Sequence, residues 1–179
     1  MIDKIKEQLR YLRGFPRVFL WKLKYKEKLQ ISFKHNFRKR VNLHISGSSR
    51  VQIEDGLSNR DSLEMRVEEG NLHIGKNCFF NLNCSITCAD KIEIGDNCLF
   101  ANNVVIVDHD HDYRNGQKLK KTPIFIGNNV WIGANCVILR GTYLGDNCVV
   151  GAGTILSGVY KNNTKIIQTR QLKIEEIKG

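Results

Sequence analysis

The chain has 179 residues, and no run among them is long and apolar enough to cross a membrane as a helix. Its N-terminus lacks the apolar stretch of a secretory leader, so the expected setting is the cytoplasm. Six cysteines are present without a single Cys-x-x-Cys pair, which removes the usual sequence signal for a zinc or dithiol redox site. No recognisable nucleic-acid-binding module frames the aromatic residues, so nucleic acid is not an expected partner. Most of the chain also lacks a charge excess. Residues 41–179 carry 15 Lys/Arg and 15 Asp/Glu, whereas residues 1–40 carry 13 against three, so the whole formal net charge of +10 sits at one end. The length implies one domain with one core.

What the chain does have is a six-residue phrase, repeated from Ile74 to Val159: an aliphatic residue, usually glycine, two polar residues, a small residue and one more. Clear copies are Ile74-Gly75-Lys76-Asn77-Cys78-Phe79, Ile94-Gly95-Asp96-Asn97-Cys98-Leu99, Ile126-Gly127-Asn128-Asn129-Val130-Trp131 and Leu144-Gly145-Asp146-Asn147-Cys148-Val149. A unit this short has no core of its own. It must be one flat face of a coil that buries its aliphatic residue by stacking on the coil below. The first positions (Ile74, Phe80, Ile94, Phe100, Ile106 and onward to Leu156) form the one continuous apolar column, so they point inward. Glycine at the second position fits a corner where a Cβ would crowd the backbone. The Asp-Asn and Asn-Asn pairs suit tight turns. Three such faces make one coil of a triangular prism. Cys78, Cys84, Cys98, Cys136 and Cys148 share the fifth position with Val and Thr, which marks them as packing residues; only Cys88 falls elsewhere.

Leu43–Ile45, Val51–Ile53, Leu63–Val67 and Leu72–Ile74 read as irregular early coils of the same solenoid. The expected division is a basic, partly helical segment over 1–40, a β-helix over 41–159 with a loop at 107–125, and a tail over 160–179. In the basic segment, Ile2, Ile5, Leu9, Leu12, Phe15, Val18, Phe19 and Leu20 have helical spacing that breaks near Gly14-Phe15-Pro16. Such a stretch acts as a solvated or packing arm, or as an amphipathic surface that approaches anionic lipid or an anionic glycan. Both readings stay open here.

Between Ile106 and Ile126 the hexad rhythm stops, and the inserted segment holds Asp108-His109-Asp110-His111-Asp112. Solenoids carry insertions on one face, often the binding face. Histidine titrates where proton transfer near neutral pH needs it. His109 and His111 are therefore the candidate bases, while His35, His44 and His73 have no such setting. His-x-His on a strand also puts two imidazoles on one side, which leaves a metal site as an alternative.

The repeat over Ile74–Ser157 resembles the hexapeptide-repeat acyltransferases, whose fold is a left-handed parallel β-helix; the handedness comes from that resemblance. The insertion, followed by Pro123-Ile124-Phe125-Ile126-Gly127-Asn128-Asn129-Val130-Trp131-Ile132-Gly133, is similar to the maltose, galactoside and xenobiotic acetyltransferase branch. In that branch a loop histidine is the general base. An ungapped count from Gly95-Asp96-Asn97 puts it on His111, and a shortened loop would move it to His109. The same count implies acceptor contacts from Asn81, with Asn83 on the same side and Trp131 close by. Acetyl-CoA would lie against Trp131, Gly133, Ala134, Gly151, Ala152 and Ser157, with Lys161 or Lys165 toward its phosphates.

There are departures: Ala134 stands where some relatives carry a serine, Gly158 replaces a basic residue, and the expected Gly-x-Pro-Ala tail is absent. The resemblance implies direct acetyl transfer to a sugar hydroxyl in a homotrimer, with no metal and with sites between subunits. Together with the basic arm, it points to a capsular, exopolysaccharide or lipopolysaccharide unit as acceptor, with peripheral contact of residues 1–40 at the inner membrane face as a further expectation. A γ-class carbonic-anhydrase-like metal hydratase on the same fold, and a non-catalytic scaffold, are the alternatives.

Overall fold

The computed structural model describes residues 12–112, 114 and 118–169. Its strands form a three-sided parallel β-helix. Face one stacks Leu29–Ile31, Arg50–Ile53, Asn71–Ile74, Lys91–Ile94, Ile124–Ile126, Tyr143–Leu144 and Val159–Tyr160, each parallel to the next. Face two runs from Asn36–Phe37 through the first halves of Ser58–Glu68 and Phe79–Cys88 to Leu99–Phe100, Trp131–Ile132, Val149–Val150 and Lys165–Ile166. Face three stacks Val41–Ser46, the second halves of the same two long strands, Val105–Val107, Val137–Leu139 and Ile155–Leu156. Strand pairing thus extends the solenoid on both sides of residues 41–159, from Leu29 to Ile166.

The predicted inward column is the core. Ile74, Phe80, Ile94, Phe100, Ile106, Ile132, Ile138, Leu144 and Leu156 are all buried, and Phe80 stacks on Phe100 with ring centroids 4.2 Å apart. Each hexad position has a separate task at the edge between faces one and two. A Cβ on Gly95 would stand 2.7 Å from Asn128 Oδ1 and 2.8 Å from the Gly127 carbonyl carbon, so glycine is required by the approach of the next coil. The third-position side chain reaches down: Asp96 Oδ1 accepts the Lys76 N–H at 2.7 Å, and Asn128 Oδ1 accepts the Asp96 N–H at 2.8 Å. The fourth position is the left-handed one. Asn77, Asn97, Asn129, Asn147 and Asn163 all have φ between 55° and 59°, and their side-chain amides bond one another up the edge at 3.0–3.3 Å.

The cysteines do more than fill space. The thiols of Cys84, Cys98 and Cys136 each donate to a carbonyl of the coil above, at 3.1 Å, from positions where valine has no donor. All six are buried and free, and burial pushes the Cys84, Cys88 and Cys136 thiols up. Those three are not poised as nucleophiles, and the Cys98 thiol, drawn down by its hydrogen bond with Cys78, is sealed in the core.

Among the described residues of the basic segment, 12–28 cap the first coil of the prism. After a 3₁₀ turn at Leu12–Gly14, a helix covers Phe15–Tyr25 with Pro16 in its first turn, where a missing N–H costs nothing. Its Val18, Trp21 and Tyr25 are buried; Trp21 packs 5.6 Å from Phe37, and the Tyr25 hydroxyl donates to the Leu43 carbonyl at 2.6 Å. The helical spacing of Ile2, Ile5 and Leu9 lies outside the described residues. Among the described residues, no helix is long and apolar enough to cross a membrane.

His35 lies under this cap, fully buried and stacked on Phe37, with Nδ1 lacking a hydrogen-bond partner among the described residues. Burial outweighs the pull of Asp55 and pushes its pKa down to about 4. The unfolded chain holds this proton more tightly, so the contribution of neutral His35 is complete above its unfolded pKa of about 6.5 and is lost as pH falls toward 4. Urea denaturation at pH 7 and pH 4.5 should register a loss of up to about 3 kcal/mol from this group. The same pair of measurements on His35→Leu should lack that increment.

Candidate active site

At the edge between faces three and one, the fourth coil does not turn directly. The chain leaves the prism after Val107 and returns at Ile124. The excursion is an antiparallel hairpin in which His109–His111 pairs with Leu119–Lys121, placing His109 opposite Lys121 and His111 opposite Leu119. Strand alternation sets His109 and His111 on one side and Asp110 on the other. Asp110 forms an ion pair with Arg140 on the following coil, Nε to Oδ2 2.5 Å, which ties the hairpin to the prism.

The base of the hairpin is fixed by Asp108, fully buried at 0% exposure. Its two carboxylate oxygens accept the backbone N–H groups of Ala89 and Asp90, both at 2.8 Å. The same carboxylate lies 3.0 Å from His109 Nδ1, leaving Nε2 as that ring's other polar atom. The His109 side chain is largely buried, 14% exposed, whereas His111 is exposed, with ring centroids 6.3 Å apart and nearly edge-on. Asp108 was not singled out as a positioning group from the sequence. Its signal was an aspartate directly after the last regular strand, where an edge residue of the coil should stand.

The remaining candidates separate by edge. Asn81, Asn83, Gly133, Ala134, Gly151 and Ala152 all lie on the edge between faces two and three, on the third, fifth and sixth coils of the prism. Side chains shrink up this edge from Asn81-Leu82-Asn83 to Gly133-Ala134-Asn135 and Gly151-Ala152-Gly153, baring the backbone. Asn81 Oδ1 is buried with no hydrogen-bond partner among the described residues, an acceptor left unsatisfied beside an otherwise bonded edge. Trp131 sits on face two at the approach to this edge and is 54% exposed. Ser157 lies on the histidine edge above the hairpin, and Lys161 on the asparagine-ladder edge.

The histidines and Trp131 are therefore apart within one protomer, since the edge joining faces three and one is opposite face two. Two clefts of the single chain also lie away from the hairpin. One of about 720 Å³ lies on face one between Lys28, Arg50, His73 and Glu93, and another of about 340 Å³ lies around Phe125 and Tyr143. Neither is lined by His109, His111 or Trp131. Among the described residues, no group of three or more His, Cys, Asp or Glu side chains is arranged to hold a metal.

The family model "Hexapeptide repeat of succinyl-transferase" matches residues 72–107 and 123–157, stopping on either side of the hairpin. A galactoside O-acetyltransferase of Escherichia coli (strain K12) is 44% identical over 75 residues, covering 40% of this chain and 37% of that protein. The chain's matches span 36–43% of the length of the curated relatives. Among solved structures, a maltose O-acetyltransferase from Clostridium difficile 630 superimposes with a TM-score of 0.56 at 27% identity, covering 96% of this chain and 88% of its own. A hexapeptide-repeat acetyltransferase from Vibrio cholerae O1 biovar eltor, complexed with acetyl coenzyme A, shares the fold at 19% identity with a TM-score of 0.53, covering 91% of this chain and 79% of its own.

Proposed function

We propose that this chain, which belongs to the hexapeptide-repeat acetyltransferases, moves an acetyl group from acetyl-CoA to a sugar hydroxyl. The observation that carries this reading is the hairpin: an interruption of an otherwise regular prism that sets two histidines on one side of a strand anchored by a buried carboxylate. Identity to a galactoside O-acetyltransferase and likeness to a maltose O-acetyltransferase support the acceptor class.

The chemistry is direct transfer. His111 removes the proton of the acceptor hydroxyl as its oxygen attacks the thioester carbonyl. The tetrahedral intermediate then collapses, the C–S bond breaks, and His111 returns the proton to the departing sulfur. The buried thiols offer no route through an acyl-enzyme. Ala134 supplies no hydroxyl to the intermediate, so a backbone N–H or water takes the oxyanion. His109 is a second reading for the base, favoured by its contact with Asp108 in the manner of an Asp–His pair.

A homotrimer brings the histidine edge of one protomer against the small-residue edge of the next. That arrangement unites His111 with Trp131, Asn81, Asn83 and the Gly133-Ala134 and Gly151-Ala152 corners, where coenzyme A lies along bare backbone. Two exposed apolar columns flank that edge and support such packing: Leu99 and Trp131 on face two, Val105 and Ile155 on face three. A repeating unit of a surface glycan is the proposed acceptor, with Ser157, on the histidine edge, toward the outer end of the cofactor, and Lys161, on the third edge, away from it. Acetyl-CoA turnover measured against nucleotide sugars, oligosaccharides and simple sugars should reveal one saccharide class acetylated well above hydrolysis. Turnover no faster than hydrolysis with every saccharide would end the reading.

A further inference from the structure

The capping helix uses only one of its apolar sides on the prism. While Val18, Trp21 and Tyr25 point inward, Phe15, Phe19, Leu20 and Leu23 face outward, with Leu20 63% and Leu23 60% exposed. Phe33, from the turn after Leu29–Ile31, extends this surface, its ring 4.8 Å from Phe15, which in turn stacks on Phe19. Five large apolar side chains thus form a patch at the end of the solenoid.

Its surroundings are cationic. Arg13, Arg17, Lys22, Lys24, Lys26 and Lys28 lie on or beside the helix, and Glu27 is the one acidic residue between positions 12 and 40. Lys22 Nζ lies 5.1 Å from the Phe33 ring centroid, so its charge sits at the margin of the apolar surface. An apolar surface rimmed with cations on an 11-residue helix is too short to span a bilayer and has the composition of a segment that lies in its interface. A second copy of the same patch would press cations against cations, whereas an anionic surface complements them.

We propose that this end of the molecule docks on an anionic phospholipid bilayer, with Leu20, Leu23 and the Phe15-Phe19-Phe33 cluster entering the headgroup boundary and the flanking lysines and arginines contacting lipid phosphates. The inference stands apart from acetyl transfer, and its test needs no substrate. The full chain is sedimented with sucrose-loaded vesicles of phosphatidylcholine alone and of phosphatidylcholine with about 30% phosphatidylserine.

The expected result is binding that requires phosphatidylserine, weakens about tenfold or more between 0.1 and 0.5 M NaCl, and falls roughly 100-fold in L20E/L23E at an unchanged melting temperature. K22Q/K24Q should weaken it several-fold without altering the fold. Equal binding of the wild type to both vesicles, no binding to either, or undiminished binding of L20E/L23E would overturn the proposal. So would a concentration-dependent self-association that L20E/L23E abolishes while vesicle binding persists, because the patch would then belong to a second copy.

Discussion

Replacing His111 by alanine should lower acetyl transfer to the preferred saccharide by about 10²–10⁴-fold while leaving the melting temperature unchanged. The two halves of this result come from the same geometry. His111 is exposed near the end of a hairpin strand and pairs with Leu119 through backbone alone, so its ring contributes no core packing to lose. A side chain with no part in the reaction would therefore leave both quantities unmoved, and a structural one would lower the melting temperature. His109 is different, because its ring is largely buried and held at Nδ1 by Asp108. If it positions His111 through their edge-on contact, His109→Ala should cost about tenfold in kcat, and the double variant should be little worse than His111→Ala alone. The reverse ranking, with His109→Ala the more damaging, would assign the base to His109 and make Asp108 its orienting partner. Steady-state kinetics on the three variants, with acetyl-CoA saturating, decides between these outcomes.

The parts of the fold most legible in the sequence are those where neighbouring coils touch through fixed positions. Glycine at Gly75, Gly95 and Gly127, the acceptor side chains at Asp96 and Asn128, and the left-handed Asn97 and Asn129 are each dictated by the coil above or below, so the hexad spells them out. The first coils carry a weaker signal because they turn by other means. Ser62 and Glu69 take the positive-φ positions there, at 53° and 60°, and the 11-residue strand Ser58–Glu68 bends across two faces without the Gly-x-Asn corner. In the site, the histidines and the small-residue corners were legible as residue types. Their distribution over edges was not, because a six-residue period places every corner alike, and only strand stacking tells which of three edges a corner occupies. Thus Gly133 and Gly151 share an edge with Asn81, while Ser157 and Lys161, read from the same repeat, fall on the other two. The second role of the cysteines was hidden for a related reason: the acceptor of each thiol lies on the next coil, 15 to 29 residues away in Cys136, Cys84 and Cys98.

Asp108→Ala should be the most destabilising single change in the site, by about 4 kcal/mol, and should also reduce activity. Its carboxylate is fully buried and accepts two backbone N–H groups of the coil below, at Ala89 and Asp90, where the chain departs to form the hairpin. Truncation leaves two buried donors without partners, each costing about 1–3 kcal/mol, beside a small void. Asparagine is a sharper probe than alanine because it is nearly the same shape. One side-chain oxygen can still accept one N–H, but its amide must face the other donor, so Asp108→Asn should recover only about half of the loss. The edge also carries the hairpin, tied to the prism above by Arg140 and Asp110, so loosening at Asp108 should release His109 and disturb His111 with it. Guanidinium denaturation of the two variants alongside His109→Ala separates the roles. His109→Ala should cost about 1–2 kcal/mol, since its largely buried ring packs beside Asp108 but leaves no backbone donor unpaired, whereas both Asp108 variants should shift the midpoint downward in the order alanine below asparagine. An Asp108→Ala protein as stable as the wild type would mean that the coil edge does not depend on this carboxylate, and the anchor assigned to the hairpin would have to be Arg140 alone.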